Sequence, residues 1–257
     1  MDARLPAAAP GSSDHRTIVA NACRVLAARG LAEDVLGHVS VRTGPETLLV
    51  RCRGPREEGL LFTVPDDVRE VDLDTAPGTA DADGWAAPNE LPIHTEVMRA
   101  RPDVDAVLHC HPPTVLLVGI EDVPLRALVG AYNIPATRLA LDGVPVYPRS
   151  VLVRRPDLGR EVAAALGTAP VLVLRGHGNV TVGSGPHAVE QAVARALALD
   201  VLARVSLESH RLGGRARALG PDEVAELPDL GGAFNDVMLF RHHLARLRHE
   251  GLLLPQA

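Results

Sequence analysis

Two short apolar runs do most to limit what this chain can become. They are Asp105-Ala106-Val107-Leu108-His109 and Pro170-Val171-Leu172-Val173-Leu174. Each is too short for a stable helix and is closed by breakers: Pro112-Pro113 after the first, Gly176 and Gly178 after the second. Both therefore read as buried strands. Further strands are predicted at His38–Arg42, Thr47–Arg51 and Leu60–Thr63, as an antiparallel meander, and at Val144–Tyr147. Helical spacing follows a cap at Ser12, Ser13 or Asp14 and stops at Gly30. It recurs over Leu91–Ala100, from Pro113 or Thr114 through Val118, over Leu158–Leu166, over about 187–211 and over 233–249. Residues 74–89 form a turn-rich loop. The order predicts an α/β fold with a central, mostly antiparallel sheet covered by helices, without internal repeats or a linker.

Composition narrows the chemistry. Aromatic residues are only 2%, so the core must be Ala, Val and Leu, which a chain of 257 residues supplies. All 26 basic residues are Arg. Without a Lys amine, a Schiff-base aldolase, a lysine-bound pyridoxal phosphate enzyme and a P-loop NTPase are excluded. The net charge of −6 argues against a nucleic-acid partner. No apolar run reaches the ~18 residues of a membrane span, and the N-terminus lacks a signal-peptide core, so the expectation is a cytoplasmic protein. Cys23, Cys52 and Cys110 read as buried thiols rather than a disulfide framework.

The chemistry gathers at strand ends. In a strand, side chains at i and i+2 share a face, about 6.6 Å apart at ~3.3 Å per residue. His109 and His111 can thus converge on one metal ion, with Cys110 turned to the other face. Alone, such a pair reads equally well as structural. His177, between Gly176 and Gly178 beyond the second buried strand, tips the reading toward three imidazoles with an open coordination position. Glu90, at the start of a helix, is either a carboxylate favoured by the helix dipole or a ligand and general base beside a cation.

These residues carry a resemblance. Gly37-His38-Val39-Ser40, Glu90-Leu91-Pro92-Ile93-His94, His109-Cys110-His111-Pro112 and Gly176-His177-Gly178, in this order, resemble the class II aldolase/adducin-like family over about residues 14–215. The resemblance implies a three-layer αβα sandwich and a divalent metal ion (Zn, Mn, Fe or Co) held by His109, His111 and His177. It implies Glu90 as acid/base, and a homotetramer with sites at subunit interfaces. It divides the chain into a flexible leader (1–13), a catalytic domain (14–215) and a C-terminal helical extension (216–257) that packs on the same domain or on a neighbour. Where sugar-phosphate aldolases cradle a phosphate, this chain has Gly37-His38-Val39-Ser40, Phe62-Thr63-Val64-Pro65 and Pro88-Asn89. Ser40, Thr63 and Asn89 are the matching substrate-binding candidates. Most hydroxyl and glycine donors are missing, so an unphosphorylated small-molecule substrate is expected.

Gly130-Ala131-Tyr132-Asn133-Ile134-Pro135 and Tyr147-Pro148-Arg149-Ser150 look most like the family's decarboxylases of hydroxylated aromatic acids, including dihydroxyphthalate and hydroxypyridine-dicarboxylate types. Proton transfer is then assigned to Glu90, with His38 and Tyr132 as further catalytic candidates. Arg42, Arg154 and Arg175 are candidates for a substrate carboxylate. The competing readings are an aldolase for an unphosphorylated hydroxy-carbonyl compound, a non-haem iron oxygenase and a non-enzymatic adducin-like module. His94, one helical turn beyond Glu90, either orients it or packs. His187 and His210 are assigned no chemistry, and His242, His243 and His249 are expected to face solvent or an interface.

Overall fold

The structure, a computed structural model, describes residues 12–253. The expected leader therefore lies outside the described residues, except that the first helix already takes in Ser12 and Ser13. The capping side chains expected at Ser12, Ser13 or Asp14 also lie outside what is described.

Seven strands form one sheet: β1 (His38–Arg42), β2 (Thr47–Arg51), β3 (Val68–Asp72), β4 (Ala106–Cys110), β5 (Val146–Tyr147), β6 (Val171–Leu174) and β7 (Gly178–Gly183). Their spatial order is β3-β2-β1-β4-β7-β6-β5. Every pairing is antiparallel except β5 with β6. The period of two sorts side chains cleanly. Val39, Val41, Ala106, Leu108 and Cys110 pack on one face under α1 (Ser12–Ala28) and α6 (Ala188–Arg211). Val107, Leu172, Leu174, Val180 and Val182 pack on the opposite face under α2 (Leu91–Ala100) and α5 (Pro156–Leu166). On the α6 side, α3 (Pro113–Ile120) and α4 (Ile134–Leu139) complete the cover of β6. This is the expected αβα sandwich, with helices on both faces of a mostly antiparallel sheet.

Three expectations are corrected. Leu60–Phe62 is a single 3₁₀ turn, not a strand, because Gly59 at φ 99° reverses the chain just before it. The third meander strand is β3 instead, paired with β2 from Thr47↔Asp72 to Arg51↔Val68. Finally, β7 and α4 lie where the sequence reading had placed no element; α4 starts where the Asn133 side chain accepts a hydrogen bond from the Ala136 N–H at 3.0 Å.

The C-terminal stretch holds a short α7 (Pro221–Ala225), a π-type turn (Ala233–Met238) and α8 (Leu239–His249). Phe240 and Leu247 of α8 join the apolar cluster of α1 and α6. His243 is buried there, which corrects the expected exposure. No described helix is long and apolar enough to cross a membrane.

Candidate metal centre

Strand register builds the site. The β1–β4 pairing sets His38 opposite His109, and the β4–β7 pairing sets His109 opposite Val180. His109 points to the α2 face and is fully buried. His111 follows two residues later, its backbone N–H donating to Leu31 O at 2.9 Å. His177 arrives from the β6–β7 turn, where its N–H donates to Leu174 O and Gly176 takes φ 62°. That turn needs glycine for a second reason. A Cβ on Gly178 would sit 2.2 Å from Cys110 O and 3.0 Å from the His111 ring.

Glu90 stands at the N-terminus of α2 but caps nothing. Its Oε1 accepts the Val153 N–H at 2.9 Å. Its Oε2 lies 3.4 Å from His109 Nε2 and 3.3 Å from His177 Nε2. The Nε2 atoms of His109 and His111 are 2.8 Å apart. One ligand atom from each of Glu90, His109, His111 and His177 falls within 4.8 Å of the others. The donor chemistry fits a divalent cation. His109 Nδ1 faces the Asn179 carbonyl at 2.9 Å, which can only accept, so its hydrogen sits there and the Nε2 lone pair faces the cluster. Three imidazoles and one carboxylate suit Zn, Mn, Fe or Co alike.

Electrostatics agree with a cation-ready cluster. Burial alone would raise Glu90, but its close contacts with the His109 and His177 rings outweigh burial and hold the carboxylate far below its ordinary range. Burial pushes His111 down to about 3, reinforced by His109 and His177, so its lone pair is available at neutral pH.

Beside the cluster runs a buried polar chain. Ser40 Oγ is 2.6 Å from His94 Nδ1, and His94 Nε2 is 2.6 Å from His38 Nδ1. His94 thus orients His38, not Glu90. Burial, then neighbouring histidines, hold His38 well below its ordinary value; burial and His109 take His94 down to about 3. The His38 ring centroid is 5.1 Å from that of His109.

A cleft of about 90 Å³ opens over the cluster, lined in part by His38, Asn89, Glu90, His111, Arg51 and Arg53. A larger cavity of about 530 Å³ lies over the 54–59 loop but holds no member of the cluster, so the smaller cleft is where the chemistry is. Of the substrate-binding candidates, Asn89 lines the cleft. Ser40 is buried behind His38, and Thr63 is buried with its hydroxyl donating to Leu60 O. Tyr132 is 80% exposed and lines no part of this cleft. Arg42 ties loops together through Met98 O and Val104 O. Arg154 is exposed, and Arg175 lies 3.8 Å from Asp122. The sequence reading passed over Arg51 and Arg53. The i, i+2 spacing of two charges with buried Cys52 between them was the available signal.

A model of the Class II Aldolase and Adducin N-terminal domain matches residues 17–207. A 3,4-dihydroxyphthalate decarboxylase of Arthrobacter keyseri is 52% identical over 90% of this chain and 93% of its own. Proteins of that name from Terrabacter sp. and Rhodococcus jostii are 49% and 45% identical, over 92% and 90% of this chain and 98% and 95% of theirs. Among solved structures, L-fuculose 1-phosphate aldolase from Glaciozyma antarctica superposes with a TM-score of 0.73 at 20% identity, covering 96% of each chain, a likeness of fold.

Proposed function

The chain belongs to the class II aldolase and adducin family, and from that premise we propose that it is a metal-dependent lyase that removes one carboxylate, without oxidation, from a dihydroxyphthalate. The observation that carries this reading is the convergence of Glu90, His109, His111 and His177 at the floor of a cleft without a phosphate cradle. The names of relatives at 45–52% identity supply the substrate class.

A divalent cation bound by the four residues would supply Lewis acidity to the substrate oxygens beside the departing carboxylate. The protein's own groups do the proton work. Glu90 is ionised at rest, so it takes a proton before it gives one. It accepts the proton of the ring hydroxyl and returns it to the ring carbon that bears the neighbouring carboxylate. That carbon becomes tetrahedral and the hydroxyl carbon becomes a ketone. The bond to the carboxylate then breaks, CO2 leaves, and its electron pair restores the ring and leaves a phenolate, which takes a proton from water. His38, held neutral and fixed by His94, hydrogen-bonds a substrate oxygen through the ring nitrogen that His94 does not use.

The native assembly in this reading is a cytoplasmic homotetramer. Leu36 and Leu152, which line the cleft, are 40% and 50% exposed, apolar surface that a neighbouring subunit would cover. Purified protein, stripped and reloaded with Mn, Fe, Co or Zn, is assayed on 3,4-dihydroxyphthalate for CO2, aldehyde and oxygen consumption separately. CO2 release alone is expected. Absence of CO2 with all four metals refutes the decarboxylase, and oxygen uptake with Fe(II) would favour an oxygenase.

A further inference from the structure

The cleft contains more positive charge than its metal ligands explain. Arg51 is the last residue of β2, and Arg53 follows two residues on, so both side chains lie on the same side of the chain with buried Cys52 opposite. Both line the cleft together with Asn89, Glu90 and His111. The backbone of Arg53 is pinned by reciprocal hydrogen bonds with Ala86, at 2.9 and 2.8 Å. Its guanidinium starts from a rigid base, yet among the described residues it makes no hydrogen bond or ion pair. Arg51 is 3% exposed and paired with Glu57, but its Nε is a buried donor without a partner. A buried donor without a partner is costly, and an anion bound beside it would relieve that cost.

The charges favour an anion. Glu57 offsets Arg51, and Glu90 is turned toward the histidines. The charge of Arg53 is left over. Among the described residues no Ser or Thr lines the cleft, and its cationic donors are planar guanidinium forks, which match a planar carboxylate.

We propose that Arg53, backed by Arg51, forms a carboxylate-recognition subsite that holds the ring carboxylate the reaction retains and so selects aromatic vicinal dicarboxylates over monocarboxylates. This rests on the decarboxylase reading, since one of two adjacent carboxylates must face the cluster and the other then falls on the same cleft wall.

The test is direct binding, independent of turnover. Calorimetry with metal-loaded protein compares phthalate and benzoate, neither of which carries the hydroxyl needed for reaction. Wild type is expected to bind phthalate more tightly. Arg53→Ala is expected to weaken phthalate about 10- to 100-fold, the range of a lost charge-assisted pair, while benzoate changes less than about twofold. Arg53→Lys keeps the charge but not the fork and falls between. Metal content and thermal midpoint, measured in parallel, confirm that the variants are folded and loaded. With dihydroxyphthalate, Arg53→Ala should raise KM far more than it lowers kcat. Unchanged phthalate binding in Arg53→Ala, equal weakening of both ligands, or no phthalate preference in wild type overturns the subsite. Phthalate binding that depends on Arg53 in a protein releasing no CO2 would instead overturn the assigned reaction and leave the subsite standing.

Discussion

Gly178→Ala probes the geometry on which the metal centre depends. The added Cβ would meet Cys110 O at 2.2 Å, and contacts below 3.0 Å are essentially never seen. The obstacle is backbone on the paired strand, so β4 and β7 must separate by about 0.8 Å. The bond from His109 Nδ1 to Asn179 O, now 2.9 Å, would stretch toward about 3.7 Å, beyond hydrogen-bond range. Overpacking costs about 1–3 kcal/mol, and the lost hydrogen bond about 1 kcal/mol more. The sum, roughly 2–4 kcal/mol, lowers the melting point by about 4–16 °C at 2–4 °C per kcal/mol for a chain this long. Metal binding suffers as well, because ligand distances tolerate only about 0.2 Å. Thermal unfolding with and without chelator, and metal content after reloading, measure both effects. His111→Ala serves as the contrast, expected to lose metal while keeping the melting point of the chelated protein. Full metal content in Gly178→Ala with a shift below about 2 °C would refute the reasoning.

Glu90→Gln keeps the shape of the side chain but removes the base, so kcat should fall by about 10²–10⁴; near wild-type kcat with full metal would remove Glu90 from the chemistry. Acid should destabilise the chelated protein. His38 and His94 are neutral when folded, so below pH 6.5 the unfolded chain takes up protons that the folded one refuses. Their stability is complete above pH 6.5 and falls as the pH drops below it, by up to about 1.4 kcal/mol per unit for each. His38 and His94 alone should therefore lower the unfolding free energy from urea titrations by about 2–3 kcal/mol between pH 7.5 and 5.5, with His111 adding in the same direction, and equal values would contradict the burial argument. Tyr132, 80% exposed and outside this cleft, could reach substrate only if a neighbouring subunit in the proposed tetramer brought its cleft to it. Hybrids of Tyr132→Phe and Glu90→Gln subunits should then regain activity that neither variant has alone, and hybrids as inactive as their parents would exclude Tyr132.

The metal ligands were legible because each lies next to a local signal. His109 and His111 end a buried strand before two prolines, His177 is flanked by glycines, and Glu90 opens a helix. What escaped depends on pairings distant in sequence. The strand β7 is bounded by Gly178 and Gly183 and carries Thr181, whose buried hydroxyl donates to Ala192 O of α6, 2.8 Å away. Leu60–Thr63 reads apolar, but its conformation is set by Gly59 and the hydrogen bond from Leu60 N–H to Asp34 O. The His38–His94 contact joins residues 56 apart, so helix periodicity pointed His94 at the wrong partner. Arg51 and Arg53 resemble ordinary surface charges until the 54–59 loop and the start of α2 close over them.

The buried polar groups also bear on why this face of the sheet is built as it is. Val107 and Val180 belong to the apolar cluster beneath α2. Ser40, His38 and His94 interrupt it at 0%, 7% and 0% exposure. Burying each group unpaired would cost about 1–3 kcal/mol. Their mutual hydrogen bonds offset that cost without exceeding what apolar packing would give in the same space. Stability alone therefore does not account for the chain. It does deliver a neutral imidazole in a fixed orientation to the cleft wall, in ring contact with His109. A side chain held this way loses little freedom when substrate arrives. His109 is held in the same way, its Nδ1–H donating to the backbone carbonyl of Asn179 on the paired strand. The polar interior on this face is the supporting frame of the metal centre, and substitutions in it should change metal binding or kcat before they unfold the protein.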